Sequence, residues 1–282
     1  MTGALIQIEG LSYSYGSSDR PEAVALRDIS LDIHPGEYLS ILGHNGSGKS
    51  TLARHMNALL RPTAGRVLVA GWDTRDPSRT VDIRRTVGMV FQIPDDQIVG
   101  TIVEEDVAFG PENLGLAQSE VHRRVDRALD MVGLREWRDV PTHLLSPGHK
   151  QLLAIAGMLA LGPACLVLDE ATALLDAEGR ATVLSVLDEL RRQGLAIMAI
   201  THVLDEAART DRVIVLDEGR MVLDEPPRQA FSNRERLRRL RLDIPQVTDL
   251  AQRLHHRIPC IRPDCLEVAA LSDEILEAMG KS

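Results

Sequence analysis

Apolar and polar residues alternate along the N-terminal part of the chain. Ile6 and Ile8 alternate with polar residues, and the same pattern recurs over residues 29–33. A period of two is typical of a strand that buries one face. A short apolar run over residues 37–42 then predicts a buried strand, which leads into a glycine-rich segment. The N-terminal part is therefore predicted to consist mainly of strands and turns.

The pattern becomes helical from about residue 94 to residue 161. One face of a predicted helix carries five apolar residues, with Ser119 as its N-cap and Gly133 as its stop signal. These residues are Val121, Val125, Ala128, Leu129 and Val132. The segment is interpreted as an inserted helical subdomain.

Strand patterns return after the helical segment. Apolar runs occupy residues 165–168, 196–201 and 213–216, and a helix with its own apolar face ends before Gly194. A hairpin is predicted around residues 218–219. Because strands alternate with helices, the chain is expected to have an α/β fold with a parallel sheet covered by helices.

Composition agrees with one large α/β domain and a small appendage. The chain has 282 residues, of which 44% are hydrophobic, which is enough to fill a core. Its character changes near residue 228, where an arginine-rich run over 234–241 and several prolines begin. We predict a main domain over residues 1–227 and a C-terminal module over residues 228–282.

Charge and hydropathy exclude several classes of function. The net charge of -9 provides no basic surface for sequence-independent binding of nucleic acid. No apolar run approaches the roughly 20 residues that a membrane-spanning helix requires, so the chain is expected to be cytosolic. The three cysteines lack the spacing of a zinc site, and no chemistry is assigned to them.

Residues 43–50 match the phosphate-loop pattern between a predicted strand and a predicted helix over residues 51–60. Glycines let successive backbone N–H groups point at phosphates, and the helix N-terminus adds partial positive charge. Lys49 is expected to reach the β- and γ-phosphates and the Ser50 hydroxyl to bind Mg²⁺. An ordinary glycine turn is the alternative. The predicted ATP-binding residues of this segment are Gly43, His44, Asn45, Gly46, Ser47, Gly48, Lys49, Ser50 and Thr51.

Two further apolar strands end in polar residues. Asp169 and Glu170 follow the run over residues 165–168. Asp169 is expected to hold Mg²⁺ and Glu170 to polarise the attacking water as a general base. His202 follows the next strand, and ligands of α/β sheets bind at this edge. Structural roles at strand ends are the alternative for all three residues.

This ordered set of motifs resembles the ABC ATPase family over nearly the whole chain. Besides the phosphate loop, the Asp169–Glu170 pair and His202, the matching segments are Gln92 after an apolar strand, residues 145–151 and residues 173–176. The resemblance implies a P-loop NTPase fold of the ABC type, with a RecA-like core, an antiparallel β subdomain and a helical subdomain. It also implies ATP and Mg²⁺ as ligands and ATP hydrolysis as the activity.

The resemblance assigns roles to residues outside the phosphate loop. Tyr15 would stack on adenine, although Tyr13 is a close competitor. Gln92 would sense Mg²⁺ and couple to a membrane subunit. Glu170 would be the catalytic base and His202 the γ-phosphate switch. Asp176 would communicate across an ATPase dimer.

Residues 91–99, 103–115 and 242–251 are similar to the ATPases of energy-coupling factor transporters, which import vitamins or, in a related group, cobalt or nickel ions. In that family two ATPases, often different, lie beneath a transmembrane coupling subunit and a substrate-binding membrane subunit. The resemblance implies a peripheral protein on the cytoplasmic face of the cell membrane. The C-terminal module would then be a possible dimer contact.

The segment that closes over the partner's nucleotide departs from the family pattern. Pro147 and His149 replace the first glycine and the glutamine of the usual Leu-Ser-Gly-Gly-Gln sequence. Proline lacks an N–H, although it is tolerated in the first helical turn after an N-cap such as Ser146. The residues assigned to this signature segment and to dimer communication are Ser146, Pro147, Gly148, His149 and Asp176. We therefore expect an asymmetric pair, in which this chain contributes an impaired signature.

Two alternatives stay open. One is a soluble ABC ATPase that acts on nucleic acid or ribosomes, but the single cassette, the acidic charge and the lack of sustained heptads argue against it. The other is a regulatory subunit that binds ATP without hydrolysing it, against which Glu170 and His202 argue.

Overall fold

A computed structural model describes residues 3–16 and 23–280 of the chain. Ten strands and eleven α-helices lie within these residues. The strands, numbered in chain order, are β1 (Ile6–Tyr15), β2 (Ala23–Ile33), β3 (Tyr38–Leu42), β4 (Ala64–Val69), β5 (Trp72–Asp73), β6 (Val87–Val90), β7 (Cys165–Asp169), β8 (Ala196–Ile200), β9 (Arg212–Asp217) and β10 (Arg220–Glu225).

The helices are interspersed among these strands, as expected for an α/β protein. They are α1 (Lys49–Met56), α2 (Thr80–Thr86), α3 (Val103–Asn113), α4 (Gln118–Val132), α5 (Pro147–Ala160), α6 (Ala177–Arg192), α7 (Leu204–Ala207), α8 (Pro227–Ala230), α9 (Arg234–Arg239), α10 (Gln246–His255) and α11 (Val268–Gly280). Among the described residues, no helix is both long enough and apolar enough to span a bilayer.

Two compact units divide the chain. The first consists of the described residues within Met1–Glu37 and Ser50–Ile200, and the second of those within Tyr38–Lys49 and Thr201–Ser282. The peptide bond between Lys49 and Ser50 therefore joins the units inside the predicted nucleotide-binding segment.

The first unit contains an antiparallel sheet in the order β2-β1-β4-β5. The predicted alternation in β1 is confirmed, because Ile6 and Ile8 are buried while Glu9 is exposed. The unit also contains three parallel strands, in which β7 pairs with β6 on one side and with β8 on the other. All five residues of β7 are buried, as expected for a strand covered on both faces.

The predicted helical segment over residues 94–161 contains α3, α4 and α5. The five apolar residues expected on one face of α4 are all buried, and Gly133 ends this helix with φ +74°. The predicted N-cap is wrong. Ala117 is the N-cap, because its carbonyl accepts the Glu120 and Val121 N–H groups, and Ser119 lies inside the helix.

Helix α1 also differs from its prediction over residues 51–60. It begins at Lys49, at the end of the phosphate loop, and ends at Met56. Ala58 adopts a left-handed conformation with φ +54°, which interrupts helical hydrogen bonding.

In the second unit, β3 runs parallel to β9, and the predicted hairpin joins β9 to β10. One apolar cluster combines residues of β3, β9 and α7 with Phe231 and Leu237. A second, smaller cluster joins α10 and α11 around Ala251, Ile261 and Leu271. The C-terminal residues thus contain a core of their own, while the predicted boundary near residue 228 stays a prediction.

Candidate functional site

The phosphate loop follows β3 and leads into α1. Gly43, its first residue, has φ +149°, and a Cβ at this position would lie 2.3 Å from the Leu216 carbonyl oxygen. Only glycine fits such a close approach. The turn between β9 and β10 also contacts the loop, since the Gly219 N–H donates to the Ser47 carbonyl at 3.1 Å. The hairpin therefore supports the loop from one side.

Buried polar groups fill the inside of the loop. The Lys49 ammonium donates to the carbonyl oxygens of Gly43 at 2.8 Å and His44 at 3.0 Å. The Ser47 hydroxyl is fully buried and has no hydrogen-bond partner among the described residues. Asn45 and Gly46 form an exposed tip. A buried cation and an unpartnered hydroxyl beside a helix N-terminus suit an anionic oxygen ligand.

Two carboxylates, Asp169 and Glu170, lie at the end of β7, and Asp169 contacts the start of α1. The Ser50 hydroxyl donates to Asp169 Oδ1 at 2.8 Å. Glu170 leaves the strand with φ +53°, and its N–H donates to the Ile200 carbonyl at 3.0 Å. This left-handed conformation costs about 1 to 2 kcal/mol for a residue with a Cβ. Gln92 Nε2 donates to Glu170 Oε2 at 3.3 Å. The first unit thus brings four predicted site residues together.

Two further glutamines hold the segment that contains Gln92. The Gln97 side chain accepts the Phe91 N–H at 3.2 Å and donates to the Met89 carbonyl at 3.1 Å. Gln151 Nε2 donates to the Phe91 carbonyl at 3.4 Å. Sequence reasoning gave neither glutamine a role, because their contacts span other elements. Their amide groups satisfy backbone groups that would otherwise lack partners beside β6.

The structure distinguishes the two candidate tyrosines. Tyr15 is 41% exposed, and its hydroxyl lies 3.1 Å from Thr51 Oγ1. Tyr13 packs edge-on against the His55 ring, with centroids 4.7 Å apart. Burial raises the pKa of Tyr13 and lowers that of His55, so both rings are favoured in their neutral forms. Tyr15 therefore presents the more accessible aromatic ring beside α1.

His202 follows β8 and is the first exposed residue after that strand. The preceding Thr201 anchors this turn in the second unit. Its N–H donates to the Ile41 carbonyl at 3.4 Å, and its hydroxyl donates to Glu206 Oε2 at 2.7 Å. His202 therefore belongs to the second unit, together with residues 43–49 of the phosphate loop. Ser50, Gln92, Asp169 and Glu170 belong to the first unit.

Helix α5 begins at the altered signature segment. Ser146 is its N-cap and accepts the His149 N–H at 3.3 Å, and Pro147 occupies the first helical position. This arrangement confirms that proline is compatible with the helix start. The Ser146 hydroxyl also lies 3.1 Å from His149 Nδ1. The His149 ring packs on Trp137 with centroids 4.4 Å apart. The serine hydroxyl therefore bonds within its own helix start.

A groove of about 430 Å³ lies between this helix start and the start of α6. Its walls approach closely at Gly148, where a Cβ would lie 3.2 Å from the Gly179 Cα. Asp176 is the N-cap of α6 and accepts the Gly179 N–H at 2.8 Å. The signature residues and Asp176 therefore line the same groove.

The oxygen donors of the first unit fit Mg²⁺, and the loop glycines of the second unit fit a phosphate ligand. Ser50, Asp169 and Gln92 offer hydroxyl, carboxylate and amide oxygen atoms, which are the hard ligands that Mg²⁺ prefers. In the phosphate loop, Gly46 and Gly48 have φ +84° and +105°, a conformation in which the backbone can approach a ligand closely. Among the described residues, no cluster of three or more His, Cys, Asp or Glu side chains forms an all-protein metal site.

Comparison with known proteins agrees with this geometry. Residues 26–173 match the family described as ABC transporter. The energy-coupling factor transporter ATP-binding protein EcfA1 of Symbiobacterium thermophilum is 52% identical over 285 residues, which cover 99% of this chain and 98% of that protein. The solved structure of cbiO1 from Clostridium perfringens, part of the ABC transporter complex cbiONQ, superposes with a TM-score of 0.77 at 36% identity, covering 91% of this chain and 99% of its own.

A dimeric ATP-binding cassette bound to ADP and Pi also matches. Its TM-score is 0.71 at 27% identity, and the match covers 79% of this chain and 98% of that cassette. The predicted P-loop NTPase fold of the ABC type is therefore confirmed. With a family match over half its length and relatives that align along almost all of it, the chain belongs to the ABC transporter family, among the ATP-binding proteins of energy-coupling factor transporters.

Proposed function

We propose that this chain binds Mg²⁺ and ATP and hydrolyses ATP as one half of an unequal ATPase pair in an energy-coupling factor importer. One observation supports the site most directly: the Ser50 hydroxyl at the start of α1 bonds to Asp169 at the end of β7 at 2.8 Å. This contact joins the phosphate loop to the catalytic carboxylates, which is the pairing that phosphoryl transfer to water requires.

Each part of the site has a separate task in this proposal. Lys49 and the loop N–H groups bind the β- and γ-phosphates. Glu170 accepts a proton from the water that attacks the γ-phosphorus in line, and the bond to the β,γ-bridging oxygen breaks. Ser50, Asp169 and Gln92 would hold Mg²⁺, and the ion would neutralise charge on the phosphate oxygens. Catalysis is thus mainly positioning and electrostatic stabilisation.

The remaining roles concern recognition and communication. Tyr15 stacks on adenine, for which its exposed ring is the better placed of the two tyrosines. Gln92 responds to the nucleotide through Glu170, which it contacts at 3.3 Å. His202 binds the γ-phosphate, and Asp176 transmits the state of the site across the dimer.

The asymmetry follows from the signature segment. In an ABC pair, the signature serine and helix-start N–H groups close over the partner's γ-phosphate. Here Pro147 has no N–H to offer, and the Ser146 hydroxyl lies 3.1 Å from His149 Nδ1. This chain therefore contributes a weakened closure to its partner, whereas the nucleotide on its own loop is closed by the partner's signature.

We further propose the partner subunits, the location and the imported solute of this ATPase pair. The partners are a second ABC ATPase, a transmembrane coupling subunit and a substrate-binding membrane subunit, so the chain lies on the cytoplasmic face of the cell membrane. The imported solute is a vitamin or a transition-metal ion. The catalytic cassette spans residues 1–227, with residues 94–161 as its helical subdomain, and residues 228–282 provide a dimer contact.

Co-purification tests this assembly. The full chain, tagged and extracted from membranes in detergent, is expected to bring two membrane proteins and a second ATPase with it. Glu170→Gln should strengthen this recovery in the presence of ATP, because it holds the closed pair before hydrolysis. Recovery of ribosomes or DNA in place of membrane proteins would overturn the transporter assignment.

A further inference from the structure

The exposed ring of Tyr15 belongs to a closed cycle of contacts between the end of β1 and α1. The Tyr15 hydroxyl lies 3.1 Å from Thr51 Oγ1. The Thr51 carbonyl oxygen lies 2.7 Å from His55 Nδ1. The rings of His55 and Tyr13 pack with centroids 4.7 Å apart, and those of Tyr13 and Tyr15 with centroids 4.9 Å apart. Each of the four residues therefore contacts two others of the cycle.

Burial differs strongly among the four members of the cycle. His55 is fully buried and Thr51 is buried, Tyr13 is half-buried, and Tyr15 is exposed. Thr51 and His55 are four residues apart on α1, a spacing that puts both on one face of a helix. The cycle therefore joins an exposed ring at the end of β1 to a buried helix face.

The backbone at the end of β1 is held independently of these rings. The Thr63 N–H donates to the Ser12 carbonyl at 3.0 Å, and Thr63 Oγ1 accepts the Ser14 N–H at 3.4 Å. These bonds lie on either side of Tyr13 in the chain, and all four residues belong to the first unit. The strand end is therefore expected to keep its place when the Tyr13 side chain is changed.

Contacts on two sides restrict the Tyr15 ring. Its plane is perpendicular to that of Tyr13, a T-shaped arrangement that aromatic pairs favour. The bond to Thr51 holds its hydroxyl end. Binding is weaker when a ligand must first immobilise a freely rotating side chain. A base that stacks on Tyr15 therefore meets a ring whose orientation is already set.

We propose that Tyr13 is a positioning residue, which orients the Tyr15 ring for stacking on adenine without touching the base itself. Tyr13 contacts both the buried His55 ring and the exposed Tyr15 ring, so it transmits the fixed position of α1 to the stacking ring. This inference rests on the proposed stacking of Tyr15 on adenine. The two tyrosines thus have different tasks in one site.

Two ligands separate this role from a general structural one. ADP and inorganic pyrophosphate both offer two linked phosphates to the loop, but only ADP carries adenosine. Calorimetry of the full chain with Mg²⁺ measures both dissociation constants without hydrolysis of a γ-phosphate. Tyr13→Ala should weaken ADP binding about threefold and leave pyrophosphate binding unchanged. An equal loss for both ligands, or no loss for either, would overturn the inference.

A double variant tests whether Tyr13 acts through Tyr15. Tyr15→Ala alone should weaken ADP binding about fivefold. In that background Tyr13→Ala should add no further loss, because the ring that it orients is absent. Losses that multiply in the double variant would mean that Tyr13 acts independently, against the proposal. A Tyr15→Ala chain that binds ADP as tightly as the wild type would instead disprove the proposed stacking.

Three further variants control for folding and for general loss of aromatic packing. Tyr13→Phe keeps the ring and should bind ADP like the wild type. Tyr13→Leu keeps apolar bulk without a ring and should reproduce the loss of Tyr13→Ala, so it provides the comparison if the alanine variant does not fold. Trp72→Leu removes a ring from β5, which β4 separates from β1 in the same sheet, and should follow the wild type. Wild-type ADP binding in Tyr13→Leu would contradict the role of the ring.

Discussion

The carboxylate end of β7 and the signature start of α5 use their hydroxyl groups differently. Ser50 donates to Asp169 of another element, so that oxygen atoms from two parts of the chain converge. Ser146 bonds to the backbone and ring of His149, three residues ahead. A group that already satisfies its own helix must give up that bond before it binds a ligand. The first region therefore joins polar groups of two separate elements, whereas the second bonds within its own helix start.

The glycine pattern sharpens this difference. In the phosphate loop, Gly43, Gly46 and Gly48 all have positive φ, and the backbone is open to a ligand. In the signature segment, Pro147 replaces the glycine that the family uses, and Gly148 instead permits close contact with Gly179 at the start of α6. Glycine thus permits ligand access in one region and helix packing in the other.

The largest expected effect comes from a change at the carboxylate end of β7. Glu170→Gln should lower ATP turnover by about a hundredfold to ten-thousandfold, because the amide cannot accept a proton, while ATP affinity is retained. Phosphate release and nucleotide binding measure the two quantities. Glu189→Gln, at a half-exposed carboxylate on α6 that pairs with Arg192 on the same helix, is the matched control and should keep wild-type turnover. Unchanged turnover in Glu170→Gln would remove Glu170 from the base position.

A smaller effect, an increase in ATP turnover, is expected from a change in the signature segment at the start of α5. Pro147→Gly should raise ATP turnover of the chain alone about tenfold, because the helix start regains a backbone N–H. Steady-state phosphate release at saturating ATP is the measurement. Pro227→Gly, which changes the proline at the start of α8, controls for a general gain of flexibility. Full turnover in the wild-type homodimer, with no change in Pro147→Gly, would refute the asymmetry.

Substitutions of Tyr13 and Tyr15 test which of the two rings stacks on adenine. Tyr15→Ala should weaken ATP binding about fivefold, because stacking of a base on a partly exposed aromatic ring contributes about 1 kcal/mol. Tyr13→Phe keeps the packing on His55 and should leave affinity unchanged. Calorimetry of nucleotide binding tests both variants. A loss confined to a Tyr13→Ala variant would reassign the stacking to Tyr13.

The smallest effect concerns stability at the signature. Ser146→Ala should lower the free energy of unfolding by about 1 kcal/mol, because α5 loses its N-cap. Asn233→Ala removes a comparable cap from α9 and should cost a similar amount. Denaturant unfolding measures both. If Ser146→Ala left stability unchanged while Asn233→Ala lowered it, the Ser146 hydroxyl would not be held by its own helix in solution.

Much of the fold could be predicted because local patterns reflect local burial. The alternation at Ile6 and Ile8, the buried face of α4 and the stop at Gly133 are all found in the structure. The start of α4 could not be predicted from Ser119, because the helix begins where backbone N–H groups donate to the Ala117 carbonyl, without a side-chain cap. Capping preferences are weaker than the packing of a whole apolar face.

The sequence by itself determined the phosphate loop, the carboxylate pair after β7 and the altered signature, because each is a contiguous motif whose chemistry depends on neighbouring residues. The roles of these residues stay predictions. Only the tertiary structure decided that Tyr15 is the exposed tyrosine, that Gln97 and Gln151 hold the Gln92 segment, and that Asp217 meets His44 across 173 positions. Periodicity shows which face of an element is buried, but the contacts between distant elements depend on how the strands and helices pack.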